Sequence, residues 1–278
     1  MDDKIAFVVM AAGMGRRYNG LKQLKTFGEK GLTIAEYNIL NAIDCGFQDF
    51  FFVIEERLAD IFNGRLKKFL PKSCNFGLIF QRREKNLIKF SNRVKPWGTG
   101  HAVLCCQNIV RSNFCVTNAD DLYGRDAISK IADFLRNSKT DSTVFANVVY
   151  HIANTLSSNG TVSRGLVRSS DGQFIDTIDE VLNINLSNLG QLGITPQTPV
   201  SMNLWGFTPK IFEILAAEWS AFVKKITNAE TEEFYLSSAI DNAIKSSKCR
   251  VKMLLTSSQW HGITYESDNA SIEFSLEN

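Results

Sequence analysis

Between Val8 and Gly28 the sequence reads VVMAAGMGRRYNGLKQLKTFG, an apolar run that breaks into two close glycines followed by arginines and lysines. Gly13 and Gly15 let the backbone curl with its amides turned inward, the geometry that cradles phosphate oxygens. Arg17 and Lys22 add full charges to the same loop, with Lys25 close behind. A second chemical signal is the pair Asp120 and Asp121 in NADDLYG, which ends another apolar run. A hard cation such as Mg²⁺ takes one or two carboxylates together with phosphate oxygens. One of the two aspartates is expected to cap the helix that follows. Dense positive charge beside a carboxylate suits a metal–triphosphate complex.

Two other phosphate loops can be tested against this stretch. The dinucleotide fingerprint GxGxxG needs a third glycine where Tyr18 stands, and its acidic partner would be Glu36, which the pattern places early in a helix. The P-loop sequence GxxxxGK[ST] is absent.

The elements that must carry these loops alternate as in stacked βαβ units. KIAFVVM, DFFFVIE, FGLIFQ and NFCVTNADD read as buried strands. TIAEYNILNAIDCG, capped by Thr33 and stopped by Gly46, ERLADIFNGRLKKFL, GTGHAVLCCQNIV and RDAISKIADFLRN read as helices. From about residue 152 to 199 the chain is richer in Ser, Asn and Gly, with strand-like GLVRS and GQFIDTI, which predicts a small β-rich insertion over the mouth of the sheet. SMNLWGF and RVKMLLT return to strand character, around helices PKIFEILAAEWSAFVKK and EFYLSSAIDNAIKS. The reading is one α/β domain over 1–278, with a nucleotide-binding half to about residue 150 and an acceptor-binding half beyond it.

The bulk numbers narrow the function classes. A net charge of +2 over 278 residues disfavours nucleic acid as a partner and makes any anion affinity local. Six cysteines without CxxC spacing and three histidines provide neither a disulfide scaffold nor a zinc site by spacing. His101 and His151 read as packing or strand-end residues, and Trp205 and Phe207 as core. The N-terminus is acidic where a signal peptide is basic, and no run spans a membrane, so a soluble, cytoplasmic protein is expected. Whether it forms a homo-oligomer is left open.

Taken in order, AAGMGRR…LKQLKTFG, WGTGHAVL, VTNADDLYG, SMNLWGF and EFYLSSAI resemble the nucleotidyltransferases that join a nucleoside triphosphate to a sugar 1-phosphate. The resemblance runs over most of the chain. It implies a three-layer, Rossmann-like, mostly parallel mixed sheet and a Mg²⁺-dependent exchange that releases pyrophosphate. Ala12, Gly13, Gly15 and Arg17 match the family's GxGxR, which holds the triphosphate. Lys22 matches the lysine of its PK element, with Leu21 where proline is usual. Gln81 resembles the strand-end glutamine that reads the base, and Gly98 and Thr99 the Gly-Thr turn beside it, which favours a pyrimidine. Asp120 matches the metal-binding aspartate, Glu180 the glutamate near the sugar hydroxyls, and Asn203 the asparagine of NTG; Gly165 or Gly160 matches the backbone contact with the sugar.

Two departures from the family stand out. An excursion from residue 82 to 96 offers Arg82, Arg83 and Lys95 as further phosphate contacts, or a solvated basic loop. The late carboxylate after a tryptophan is missing: Trp260 is followed by His261 and Gly262, which leaves Asp268, with Glu266 behind it, as the second metal ligand. No hexapeptide repeat is present, so nucleotidyl transfer alone is expected. The rival readings are a cytidylyltransferase for an alcohol phosphate such as phosphocholine, a silent nucleotide-sugar binder and a nicotinamide oxidoreductase. The first lacks an aromatic cage, the second is opposed by Arg17, Lys22 and Asp120, and the third by Tyr18.

Overall fold

The computed structural model describes residues 4–13, 22–82, 93, 95–157, 160–228 and 230–262. In chain order the strands and helices are β1 (Ala6–Met10), β2 (Thr26–Phe27), β3 (Leu32–Thr33), α1 (Ile34–Asp44), β4 (Asp49–Ile54), α2 (Ala59–Phe69), β5 (Asn75–Phe80) and α3 (Thr99–Leu104). They continue with β6 (Phe114–Asn118), β7 (Asp121–Leu122), α4 (Arg125–Arg136), β8 (Val144–His151), β9 (Val162–Arg168) and β10 (Thr177–Ile184). The last are β11 (Pro199–Phe207), α5 (Ile211–Lys225), α6 (Leu236–Lys245), β12 (Arg250–Thr256) and β13 (His261–Gly262).

A nine-stranded mixed sheet forms the middle layer, in the order β10-β9-β11-β6-β1-β4-β5, with β8 and β12 beyond β11. β1 is parallel to both β4 and β6, β4 to β5, and β8 to β12, while β10 and β11 run against the rest. Alternate residues of β1 separate the two faces. Phe7 and Val9 pack with α1, α2 and α4, and Ala6, Val8 and Met10 with α3, α5 and α6. The result is the expected three-layer α/β arrangement.

Local signals act as the sequence reading expects at α1. Thr33 Oγ1 accepts from the Glu36 amide at 3.2 Å and Glu36 Oε2 accepts from the Thr33 amide at 2.7 Å, a complete capping box. Gly46 ends the helix at φ 86°. Glu36 is also held by Arg65, whose Nε and Nη2 each lie 2.6 Å from its carboxylate oxygens. That locks Glu36 away from any ribose, as a dinucleotide reading would not.

Three expectations are corrected. Neither Asp120 nor Asp121 caps α4: its N-cap is Gly124, at φ 80°, where a side chain would strike Ser258 Oγ at 2.6 Å. The chain leaves β6 through a turn at Ala119 and Asp120 into β7, which pairs with β13, so Asp120 sits in the turn and Asp121 begins the next strand. α3 stops at Leu104 and passes into i→i+3 turns, with Cys106, Gln107 and Ile109 amides bonded three residues back. GQFIDTI divides: Asp171 Oδ1 accepts from the Gln173 and Phe174 amides at 2.8 Å, and Ile175 bonds Val251, so β10 begins only at Thr177.

β11 decides where the sheet opens. Trp205–Phe207 pair with β6, while Val200 and Ser201 pair with β9, and β8 occupies the opposite edge throughout. The register shifts between Ser201 and Leu204, where Asn203 takes φ 60°. That bulge lets β11 leave β6 and take up the β9–β10 hairpin, which is the predicted insertion.

Candidate active site

At the carboxyl ends of β1, β5 and β6 lies a cavity of about 350 Å³, lined by Ala12, Gly13, Gln81, Gly98, Thr99 and Asp120 among others. The crevice beyond the strand ends is where open α/β sheets bind ligands. Gly98 has φ 98°, and a Cβ there would meet the Phe234 carbonyl oxygen at 2.8 Å. The loop can approach that closely because Phe234 N donates to Trp97 O at 2.7 Å and Gly100 N to Phe234 O at 2.9 Å. Thr99 Oγ1 accepts from the Leu236 amide at 3.0 Å, which satisfies the open first turn of α6. Gln81 Nε2 donates to Gly98 O at 2.9 Å; since a carbonyl can only accept, the amide's orientation is fixed.

The end of the 82–96 excursion is built in rather than solvated. Arg93 is buried, lies over the Trp97 ring at 4.1 Å and donates to Glu232 O at 2.8 Å. Burial lowers its pKa. Lys95 and Glu233 line the cavity. Arg82 instead pairs with Glu56 at 3.0 Å among exposed side chains. His101 packs against Trp219 with ring centroids 4.8 Å apart, a core role. Gly15, Arg17, Arg83, Glu266 and Asp268 lie outside the described residues, as does the side chain of Lys22, which opens the short turn Lys22–Leu24.

A second cavity of about 260 Å³ opens where β11 parts from β6, lined by Gly165, Glu180 and Asn203 together with Asp121, Arg164 and Trp260. Gly165 faces Glu180 across β9–β10 and Ser201 across β9–β11. Asn203 Oδ1 accepts from Trp205 Nε1 at 3.3 Å. Asp121 is fixed by Asn118 Nδ2 at 2.7 Å and the Tyr123 hydroxyl at 3.3 Å, while Asn38 of α1 clamps the turn through Asp121 O at 2.6 Å and the Tyr123 amide at 3.2 Å. Asn118 lines both cavities, Asp120 the first and Asp121 the second. The adjacent carboxylates thus serve different spaces that meet at the end of β6.

Gly262 explains the missing late carboxylate. A Cβ there would fall 2.2 Å from the Trp260 ring, so no side chain fits while that ring holds its place.

Burial raises the Glu180 carboxyl above its usual value of 4.5, and Arg164 opposes the shift. A carboxyl raised in the folded state favours folding below its ordinary value and loses that contribution as pH rises through the raised one. Glu180→Gln is therefore expected to raise the melting temperature at neutral pH and to flatten its pH dependence in the window just above pH 4.5. Thermal melts of both proteins between pH 4 and 8 check this; identical pH profiles would count against the shift.

Arg164 is a lining residue that sequence reasoning did not single out, and Asp121 and Trp260, though noted there, were not placed at this second cavity. The signal for Arg164 was present: it shares a face with Val162 and Leu166 by strand alternation, and all three are buried.

Residues 6–262 match the nucleotidyl transferase family. The chain belongs to that family. The fold of this nucleotidyl transferase family enzyme is similar to an inositol-1-phosphate CTP transferase from T. maritima, at 14% identity and TM-score 0.68, covering 99% of this chain and 96% of that one. A UDP-glucose pyrophosphorylase complexed with UDP-glucose aligns at 18% identity and TM-score 0.61, covering 99% and 98% of the two chains. A putative glucose-1-phosphate thymidylyltransferase from Bacillus anthracis aligns at 12% identity and TM-score 0.66, covering 99% and 96%. No curated protein sequence matches. No helix among the described residues of this family member is long and apolar enough to cross a membrane.

Proposed function

We propose that this enzyme transfers a nucleotidyl group from a nucleoside triphosphate, preferably a pyrimidine, to a sugar 1-phosphate with release of pyrophosphate. The observation that carries the reading is the pair of cavities meeting at Asn118, with Asp120 in one and Asp121 in the other. The first takes the triphosphate and the second the acceptor, so the acceptor phosphate and the α-phosphate come together at the end of β6. Residues to about 150 would supply most of the nucleotide half and those from about 151 the acceptor half, with Glu233 from the second half lining the nucleotide cavity.

An acceptor phosphate oxygen attacks the α-phosphorus in line. The bond from that phosphorus to the oxygen bridging to the β-phosphate breaks, and pyrophosphate leaves with the electron pair. The attacking phosphate is already ionised, so no general base is required. The protein's part is positioning and charge neutralisation. Backbone groups at Ala12 and Gly13 and, outside the described residues, Gly15, Arg17 and the Lys22 side chain hold the triphosphate and take up the charge of the leaving pyrophosphate. With its amide nitrogen engaged by Gly98, Gln81 offers its oxygen to a base donor, which uracil, thymine and cytosine each carry.

Asp120 is a hard oxygen donor in the nucleotide cavity, and the described residues contain no group of three or more His, Cys, Asp or Glu that could hold a metal alone. That donor set fits Mg²⁺ bound through one protein carboxylate and phosphate oxygens, with Asp268 or Glu266 as second ligand. Such an ion supplies charge neutralisation at the α-phosphate.

The test is pyrophosphate release with UTP, CTP, dTTP, ATP or GTP paired with glucose 1-phosphate, myo-inositol 1-phosphate or phosphocholine. A pyrimidine triphosphate with a sugar 1-phosphate is the expected productive pair. At about 100 times its dissociation constant the right nucleotide adds roughly 2.7 kcal/mol to stability, which a melting curve reads. Stabilisation by NADH alone, with no pyrophosphate from any pair, overturns the proposal; turnover with phosphocholine would move it to an alcohol-phosphate cytidylyltransferase.

A further inference from the structure

Gln81 lines the nucleotide cavity with its side-chain nitrogen between two partners. Its main chain is anchored at the sheet edge, where the Gln81 amide donates to Ile54 O at 3.0 Å. Its Nε2 lies 2.9 Å from Gly98 O and 3.3 Å from His101 Nδ1. One turn of α3 delivers both partners. Gly98 is its N-cap and His101 its third residue, so a carbonyl and a ring edge face the same side chain.

The two partners differ in what they can do. A carbonyl oxygen only accepts, whereas a neutral imidazole nitrogen donates or accepts according to its tautomer. Gly98 O fixes the Gln81 amide with its nitrogen on this side, so the atom that meets His101 Nδ1 is a donor. Nδ1 must then be the bare nitrogen, with the ring proton on Nε2. The Cys105 thiol, at the C-cap of α3, lies 3.7 Å from the same Nδ1, and an S–H there is a donor too. The reverse tautomer would set a ring proton against an amide proton.

The ring has little room to turn away. His101 is 2% exposed, and its face lies against Trp219, the two planes inclined at 46°. With one N–H given to Gly98 and the other to His101, Gln81 has only its oxygen to offer the cavity. With Gly98 alone as partner, the second N–H would be available to a ligand and the amide could tilt to present it. Two acceptors, not one, make this side chain an acceptor only.

We propose that His101 is a positioning residue for nucleotide recognition: its Nδ1 takes up the second amide hydrogen of Gln81, so that the base meets an acceptor and discrimination among triphosphates depends on a ring set behind the residue that reads them. This rests on the assignment of the first cavity to the nucleotide.

The first test uses the wild-type protein without substrate, labelled with nitrogen-15 at histidine. The ring signals that disappear in His101→Asn belong to His101, and at neutral pH they are expected to show a bare Nδ1 and a protonated Nε2. The second test is kinetic. His101→Leu removes the acceptor and keeps an apolar group against Trp219. His101→Asn loses the ring but returns an acceptor, because asparagine Oδ1 is bonded to Cγ as Nδ1 is. The readout is the ratio of kcat/KM between UTP and CTP, whose base edges place donor and acceptor differently, measured with whichever acceptor the wild type uses. His101→Leu is expected to narrow that ratio by about 10-fold with the acceptor KM unchanged, and His101→Asn to hold it within about 3-fold of the wild type. Both variants should melt below the wild type, so lost packing alone would move their ratios together.

A protonated Nδ1 in the wild type overturns the inference by itself, whether or not the variants fold. So do equal use of UTP and CTP by the wild type, an unchanged ratio in His101→Leu, or an equal fall in both variants. No pyrophosphate from any pair, with no thermal shift from any triphosphate, overturns the transferase reading and this role of His101 with it.

Discussion

Asp120→Asn is expected to lower turnover on the order of 10²- to 10³-fold while leaving the fold intact. Asparagine has the same shape and can still fill the strand end after β6, where the neighbouring Ala119 amide is tied to Met10 O at 3.1 Å. What it lacks is the full negative charge, and with it the hard donor that would hold Mg²⁺ against the triphosphate. The loss should fall on turnover more than on nucleotide KM, because the charge acts where the α-phosphate is attacked. Melting curves with and without Mg²⁺ give a second readout: the wild type should gain stability from nucleotide in a Mg²⁺-dependent way and the variant should not. Near-normal turnover of the variant in Mg²⁺ would remove Asp120 from the metal site.

Arg65→Ala carries the largest expected effect on stability. Glu36 is 3% exposed and receives both Arg65 bonds at 2.6 Å as well as the Thr33 amide. Without Arg65 a buried carboxylate remains with only its cap. Breaking a buried pair from one side costs about 3–5 kcal/mol, and because Arg65 is partly exposed, water can replace some of it, which points to about 3 kcal/mol. For a chain of this size that is a fall of roughly 6–12 °C in melting temperature. Adding Glu36→Gln to Arg65→Ala should recover much of the loss, because the charge left behind is removed. A single variant that melts within about 1 °C of the wild type would show that the pair contributes little.

The strand and helix plan was readable because burial demands a pattern. β1 is buried at all five positions, which is why AFVVM shows no polar alternation. The nucleotide cavity was legible for a related reason: Gly13, Gly98 and Asp120 follow strand ends or open a helix, where topology brings loops together. The acceptor cavity was less so. Arg164 looks like a surface residue on type alone, and only strand alternation reveals that it faces inward. One of Asp120 and Asp121 was expected to cap a helix because local rules favour that use of an aspartate; Asp121 instead opens β7. Its actual place depends on β13, where its partner Gly262 lies 141 residues further along. The end of α3 was misjudged because helix propensity continues past Leu104 while the need to bury Val110 ahead of β6 does not appear in it.

The bond from the Leu236 amide to Thr99 Oγ1 spans 137 residues and closes the wall of the nucleotide cavity. A ribosome adding about 5–20 residues per second needs roughly 7 to 27 seconds to make that stretch. During that interval the Gly98 turn is complete as a sequence but has no Phe234 or Leu236 to lean on. A nascent chain halted in the middle of β11 would hold every strand of the parallel nucleotide sheet and still lack a finished wall. Nucleotide should therefore be unable to stabilise the growing polypeptide until α6 has emerged, so that ligand capture comes near the end of synthesis.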